Sequence, residues 1–261
     1  MKIIRSRVVV SGIMGAAIII ATWGAASAAE SQVYTAELHA LNSDATGAKA
    51  VGDAKFAIDG DELTITVDAE GLPPNMMHLQ HFHGFKDGKA ASCPDSAADK
   101  NDDGLIDLIE TEAYAGTTMV PFHNDPVSME IPSDTYPKAD SNGSYKYKKT
   151  LPLKDLQAAF AKTFGSDDLA LDRRVVFIHG VPAETELPKS AASLGTIPAQ
   201  ITLPIACGTI KRLSNALKWG GGRNPPSPAF HRPYLRESAC GVIASIARRA
   251  DRGLTRSFRV Y

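Results

Sequence analysis

Residues 99–110 carry oxygen-bearing side chains at the spacing that a calcium ion requires. Ca²⁺ is a hard cation that takes six to eight oxygen ligands, and a twelve-residue EF-hand loop supplies them from alternating positions around a glycine-permitted turn. The ligands predicted by this pattern are Asp99, Asn101, Asp103, the backbone carbonyl of Leu105, Asp107 and Glu110. Gly104 occupies the turn position, so the pattern predicts calcium in preference to the alternative, a solvated acidic turn.

The flanks of this loop differ from those of a complete EF-hand. A full EF-hand has a helix on each side, but Pro94 lies just before the loop and Gly116 follows soon after it. No second calcium loop is present to pair with it. We therefore expect a calcium loop inserted into another fold, holding a fixed structural ion.

A second group of candidate ligands consists of histidines. His81 and His83 are two residues apart and would share one face of a strand, which is a common beginning of a copper or zinc site. His179 ends a strongly apolar stretch, and His123 lies in the long segment that also carries the acidic loop. The alternative is that these are ordinary hydrogen-bonded histidines.

The elements that must position these side chains are mostly strands. Alternating or apolar stretches bounded by turn residues predict strands at 33–41, 54–58, 63–67, 77–85, 145–151, 174–179 and 200–207. Apolar residues at helical spacing predict one helix at 153–164, which Gly165 ends. Several short strands of this kind indicate an all-β sandwich with a long inserted segment from 94 to 137.

Both ends of the chain differ from this central part. Residues 1–28 have a basic start, an apolar stretch and a small-residue cleavage motif ending at Ala28, which predicts a signal peptide and a periplasmic or secreted protein. No stable membrane span is expected after cleavage. The domain is placed at 29–212. Residues 213–261 are predicted to form a basic, disordered tail, since residues 211–261 carry 11 Lys and Arg against 2 Asp and Glu. A solvated extension is favoured there over a nucleic-acid-binding segment.

The chain has three cysteines. In an exported protein, two cysteines of one domain are expected to pair, and we expect a disulfide between Cys93 and Cys207. Cys240 in the tail is then the odd thiol.

The order of several short motifs resembles that of copper/zinc superoxide dismutase and of the related CHRD (chordin-type) domain. The motifs are 63–67, Gly71-Leu72-Pro73, His81-Phe82-His83-Gly84, Cys93, 175–179 and Ala206-Cys207-Gly208, and the resemblance covers about 33–210. It implies a Greek-key sandwich of the superoxide dismutase-like type. It also implies a copper site at His81, His83 and His179, and the same cysteine pair.

The chain departs from the family pattern in two places. No histidine lies between Gly84 and His123, where the family has further ligands, and Pro204 stands where the family has an arginine that guides the substrate. The sequence therefore predicts an exported, calcium-binding sandwich whose partners are metal ions, with a copper site at His81, His83 and His179. His123 is a further candidate ligand.

Metal binding is favoured over catalysis. Two alternatives stay open: a copper-dependent superoxide dismutase-like enzyme, and a periplasmic copper carrier that also uses Met76 and Met77, whose thioethers suit Cu(I).

Overall fold

The computed structural model describes residues 31–131, 134–195 and 197–214. The strands are β1 Gln32–Ala40, β2 Val51–Asp59, β3 Glu62–Glu70, β4 Gln80–Gly84, β5 Thr117–Pro121, β6 Tyr145–Pro152, β7 Val175–His179, β8 Pro204–Thr209 and β9 Lys211–Arg212. The helices are α1 Ser43–Thr46, α2 Leu108–Ala115, α3 Leu153–Phe164 and α4 Ala199–Thr202. Within the described residues, strands dominate, and the predicted all-β fold class is confirmed.

The strands form one antiparallel sheet whose order is β5-β4-β7-β8-β1-β2-β3-β6, with β9 added beside β1. Strand β1 joins the two halves, because Gln32 to Leu38 pair with β2 whereas His39 and Ala40 pair with β8. After the β2–β3 hairpin the chain crosses to β4 and β5, returns as β6 beside β3, and crosses again to β7 beside β4. These interleaved crossings are Greek-key connections.

The two halves of the curled sheet pack on each other through their inner faces. Phe56 of β2 contacts Phe82 of β4 and Phe122, with ring centroids 6.4 and 5.6 Å apart. All three rings are fully buried. Because side chains alternate along a strand, residues next to these inward positions face away from the main core. Helix α3 closes one end of this core with Phe160.

The predicted helix is confirmed at its predicted bounds, with Gly165 in a left-handed conformation at its end. The expectation of a single short helix is wrong, however, because the long inserted segment also folds. It contains the eight-residue helix α2 and strand β5. Helix α2 begins at a capping box in which Asp107 accepts from the N–H of Glu110 while the Glu110 carboxylate accepts from the N–H of Asp107.

A disulfide joins Cys93 to Cys207, as predicted, with the Cα atoms 5.8 Å apart. Among the described residues, no helix is long and apolar enough to cross a membrane. The predicted signal peptide (1–28), Cys240 and almost all of the predicted tail (213–261) lie outside the described residues.

Candidate metal centre

Strands β4 and β7 pair in antiparallel register and carry the three histidines that the sequence singled out. His81 stands opposite Phe177, and His83 stands opposite Val175. The intervening Phe82 faces the main core. His81 and His83 therefore share the opposite face, as predicted from their spacing.

That opposite face has a small apolar cluster of its own. Its buried members are Ala91, Ala115, Val175, Phe177 and Cys207. Ala115 comes from the inserted segment, and Ala91 lies just before that segment, close to Cys93, which the disulfide ties to β8. The segment thus covers the face of the sheet on which the histidines lie.

The three histidines form one compact, buried group. One candidate ligand nitrogen from each of His81, His83 and His179 lies within 4.8 Å of the others. The ring of His81 is 4.7 Å from that of His83 and 4.6 Å from that of His179, centroid to centroid. The side chains are only 4%, 1% and 2% exposed. Three imidazoles at this separation could hold a single metal ion, provided that nitrogen lone pairs are free.

Hydrogen bonds show which nitrogens are free. His179 Nδ1 lies 2.7 Å from the Thr202 carbonyl, which fixes it as the N–H donor. Among the described residues, the buried nitrogens His179 Nε2 and His81 Nδ1 have no hydrogen-bond partner. A buried polar atom without a partner is costly and calls for an explanation, and a metal ion provides one.

His83 is held by two longer contacts. Its Nδ1 is 3.4 Å from the Gly116 carbonyl, and its Nε2 is 3.2 Å from Thr118 Oγ1. A histidine that binds a metal usually donates its other N–H to a carbonyl or carboxylate. The contact to Gly116 has this form, as does the bond from His179 to Thr202.

Burial keeps all three rings neutral. Desolvation is the main cause that lowers the pKa of each ring, and it brings the pKa of His83 to about 3 and that of His179 to about 4. The pKa of His81 is lowered well below its ordinary value, first by desolvation and then by charge on His179 and His83. Neutral imidazole is the form that binds metals, so the cluster is ready for a cation at ordinary pH.

The structure does not bring His123 into this group. Its Nδ1 accepts from the N–H of Asp125 at 3.0 Å, and its Nε2 donates to the Glu130 carbonyl at 2.9 Å. Both nitrogens are therefore used locally, and the expectation that His123 joins the copper ligands is not supported. His78 is likewise placed between two carbonyls, those of Pro73 and His179.

The acidic loop folds into a compact turn that its own side chains stabilise. Asp99 accepts from the N–H groups of Asp103 and Gly104, at 3.2 and 2.9 Å. Glu110 accepts from the N–H of Lys100 at 2.8 Å, so that its carboxylate closes the loop. Gly104 adopts a left-handed conformation with φ of 81°. This is the position at which the sequence pattern requires glycine.

The loop is connected to the histidine cluster along two routes. Helix α2 begins within the loop and ends at Ala115, and the carbonyl of the next residue, Gly116, faces His83. The second route starts at Asp107, whose carboxylate accepts from the N–H of Ala192 at 2.6 Å. The hydroxyl of the next residue, Ser193, contacts the Thr202 hydroxyl. The carbonyl of Thr202 in turn accepts from His179. Sequence reasoning missed these supporting groups, because a carbonyl or hydroxyl in a loop carries no motif.

No protein-family model matches the chain, and a search of curated proteins also found no match. The class of the protein therefore rests on its own fold and site. It is an all-β, sandwich-like protein with a buried cluster of three histidines that could hold a metal ion.

Proposed function

We propose that this protein is an exported metal-binding protein that holds one copper ion at His81, His83 and His179. The observation that carries the proposal is the pair of buried, unpartnered nitrogens, His81 Nδ1 and His179 Nε2, within a three-histidine cluster. The third ligand is assigned to His83 Nε2, since its Nδ1 is the nitrogen that faces a carbonyl. Thr118 Oγ1 would give up its 3.2 Å contact with Nε2 when the metal binds.

The donor set favours monovalent copper. All three ligands are neutral, so the full charge of the ion stays in a buried site, and the cost of burying a charge rises steeply with its size. The aromatic ring of Phe177 lies 4.8 Å from that of His83, so the surroundings are apolar on this side. Imidazole ligands suit copper as well as zinc, and a site with three neutral ligands places less charge in the interior with Cu(I).

Holding an ion is favoured over turnover, because the ligands are almost completely buried. Copper, when bound, supplies one-electron exchange between its two oxidation states. The surrounding residues of the protein would hold that ion in place, keep the imidazoles neutral and exclude water.

We also propose a structural calcium ion in the loop 99–110. Support comes from the complete ligand pattern, from the turn at Gly104 and from the position of Glu110, which closes the loop onto Lys100. The remaining lone pairs of Asp99, Asp103 and Glu110 would supply oxygens, in addition to those that accept backbone N–H groups. An ion here would offset the repulsion among these carboxylates.

Export is proposed from two features. The N-terminal sequence has the composition of a signal peptide, and the disulfide between Cys93 and Cys207 fits an oxidising compartment.

A competition titration tests the copper proposal. Cu(I) is titrated into the purified protein against a chromogenic Cu(I) chelator under reducing-agent-free, anaerobic conditions, which preserve the disulfide. The wild-type protein should retain one copper ion per chain. His81→Ala and His179→Ala should weaken binding by about a hundredfold or more, because each removes a ligand and the loss of an outer-shell partner alone costs about 10- to 100-fold.

The matched control is His39→Ala, which removes an exposed histidine of β1. It should bind copper like the wild-type protein. Equal affinity in His39→Ala and His81→Ala would contradict the proposed site, and preferential retention of zinc over Cu(I) would contradict the proposed metal.

A further inference from the structure

The inner side of the sheet carries a buried cation that the histidine site does not use. Arg174, just before β7, is only 3% exposed. Its Nε donates to the Leu169 carbonyl at 2.9 Å, and its Nη1 donates to the Phe85 carbonyl at 3.0 Å. Its guanidinium carbon lies 5.9 Å from the centroid of the Phe160 ring. The group is therefore held rigidly between backbone and aromatic contacts.

No carboxylate in the described part of the chain forms an ion pair with this guanidinium. Over the described part of the chain, the ion pairs join Lys146 to Asp68 and Lys154 to Asp61, both at exposed positions. Buried charges in proteins are normally paired, since an isolated ion loses its hydration without compensation. A guanidinium has five N–H donors, and backbone carbonyls engage two of those of Arg174.

A small pocket of about 60 Å³ opens beside Arg174. Two further cations, Lys86 and Arg173, and the hydroxyl of Ser166 line the same pocket. One carboxylate, that of Asp168, is also present, and its Oδ1 accepts from the N–H of Ala170 at 2.8 Å. Three cations thus line this space with one carboxylate, and Asp172 adds a second carboxylate close to Arg174, so cations still outnumber carboxylates around the pocket.

We propose that this pocket is a binding site for a small oxyanion, such as a phosphate or carboxylate group. The planar donor fork of arginine matches both groups, and charge-assisted hydrogen bonds are the strongest that a side chain can offer them. A pocket of about 60 Å³ has room for one such group. The anion supplies a directly bound counter-charge for Arg174, which forms no ion pair among the described residues, while Lys86 and Arg173 attract it to the pocket.

The site is separate from the histidine cluster, although it adjoins the same strands. Val175 packs in the apolar cluster on the histidine side, whereas Phe160, next to Arg174, belongs to the main core. Gly84 directly follows His83, and a Cβ there would come within 2.3 Å of Arg174 Nη1. The guanidinium therefore packs on the backbone of the strand that carries two of the histidines. Because the two sites adjoin the same strand, anion binding is tested with the metal-free protein.

Calorimetric titration and thermal unfolding of the metal-free protein test the proposal. The probes are inorganic phosphate and, separately, acetate, each against sodium chloride at the same ionic strength. Phosphate should raise the melting temperature above the chloride value and bind at one site. Binding of both probes would indicate a site for small oxyanions in general. Binding of phosphate alone would indicate a phosphoryl site. Either outcome supports the proposal.

Three variants locate the binding. Arg174→Lys keeps the charge but loses the fork, and should weaken phosphate binding by about tenfold or more, as expected for a lost charge-assisted hydrogen bond. The double variant Lys86→Gln/Arg173→Gln changes exposed side chains and should weaken binding by about threefold to tenfold while the fold is retained. The control Lys148→Gln/Lys149→Gln removes two charges from β6, away from the pocket, and should bind phosphate like the wild-type protein.

Two results would overturn the proposal. One is a melting temperature that phosphate and acetate shift no more than chloride does. The other is equal loss of phosphate affinity in the double variant and in the β6 control, which would show an unspecific charge effect. The double variant decides the matter even where Arg174→Lys fails to fold.

Discussion

Acidification of the metal-free protein should destabilise it steeply, because folding requires the three clustered histidines to stay neutral. In the unfolded chain a histidine takes up a proton near pH 6.5, whereas in the folded protein His83 does so near pH 3 and His179 near pH 4. Between these values the unfolded state binds more protons than the folded state. Stability is therefore present above the unfolded pKa and is lost as the pH falls towards the folded values.

The size of the effect follows from the shift. For each histidine that stays neutral in the folded protein, the free energy of unfolding falls by about 1.4 kcal/mol when the pH falls from about 7.5 to about 5.5. The free energy of unfolding should therefore fall by about 4 kcal/mol through His81, His83 and His179 together. This is a large fraction of the total stability of a domain of this size. The pKa of His78 is also lowered, chiefly by burial, so it adds in the same direction.

Urea unfolding in the presence of a metal chelator, followed by circular dichroism at several pH values, measures this dependence. The single variant His179→Gln should remove about a third of the cluster's pH dependence, about 1.4 kcal/mol over the same interval. The exposed His39→Gln is the matched control and should leave the dependence unchanged. A free energy of unfolding that is the same at pH 7.5 and 5.5 would refute the reasoning, because it would mean that the buried rings take up protons as readily as in the unfolded chain.

Three further predictions concern stability. Reduction of the disulfide, or the variant Cys93→Ser/Cys207→Ser, should lower the free energy of unfolding by about 4 kcal/mol, since the bond closes a loop with a sequence separation of 114. Chemical unfolding with and without reductant measures this change. An unchanged unfolding midpoint of the wild-type protein in reductant would contradict the prediction. Calcium at about a hundred times its dissociation constant should stabilise the wild-type protein by about 2.7 kcal/mol. The variant Glu110→Gln should lose most of that gain while keeping an acceptor for the capping box, whereas the same gain in Glu110→Gln would remove the loop as the calcium site. Phe82→Ala should cost about 3 to 5 kcal/mol, because the ring is fully buried between the two halves of the sheet, and a loss below 1 kcal/mol in the same unfolding assay would mean that the halves do not depend on this contact.

Local pattern was sufficient at β4 and α3, but the strand predicted at 200–207 is wrong in its first part, because Ala199–Thr202 form helix α4 and β8 begins only at Pro204. The alternation around Phe82 placed His81 and His83 on one face, and helical spacing placed α3 at its observed bounds. The inserted segment was harder to predict, because α2 is short and its capping box overlaps the acidic pattern. The strand β5 beside it is only five residues long.

Long-range partners were beyond sequence reasoning for a physical reason. Burial keeps His179 and His83 neutral, whereas the carbonyls of Thr202 and Gly116, both distant in the chain, orient the two rings. His123 looked like an equivalent ligand in the sequence, but two backbone groups close to it use both of its nitrogens. Backbone groups of this kind have no residue signature.

The most direct test of the central claim is the metal content of the protein purified from its native compartment, measured by mass spectrometry of bound metals alongside the His81→Ala variant. We expect close to one copper ion per chain in the wild-type protein and a large loss of copper in the variant. Copper absent from the wild-type protein, or equally abundant in His81→Ala, would contradict it.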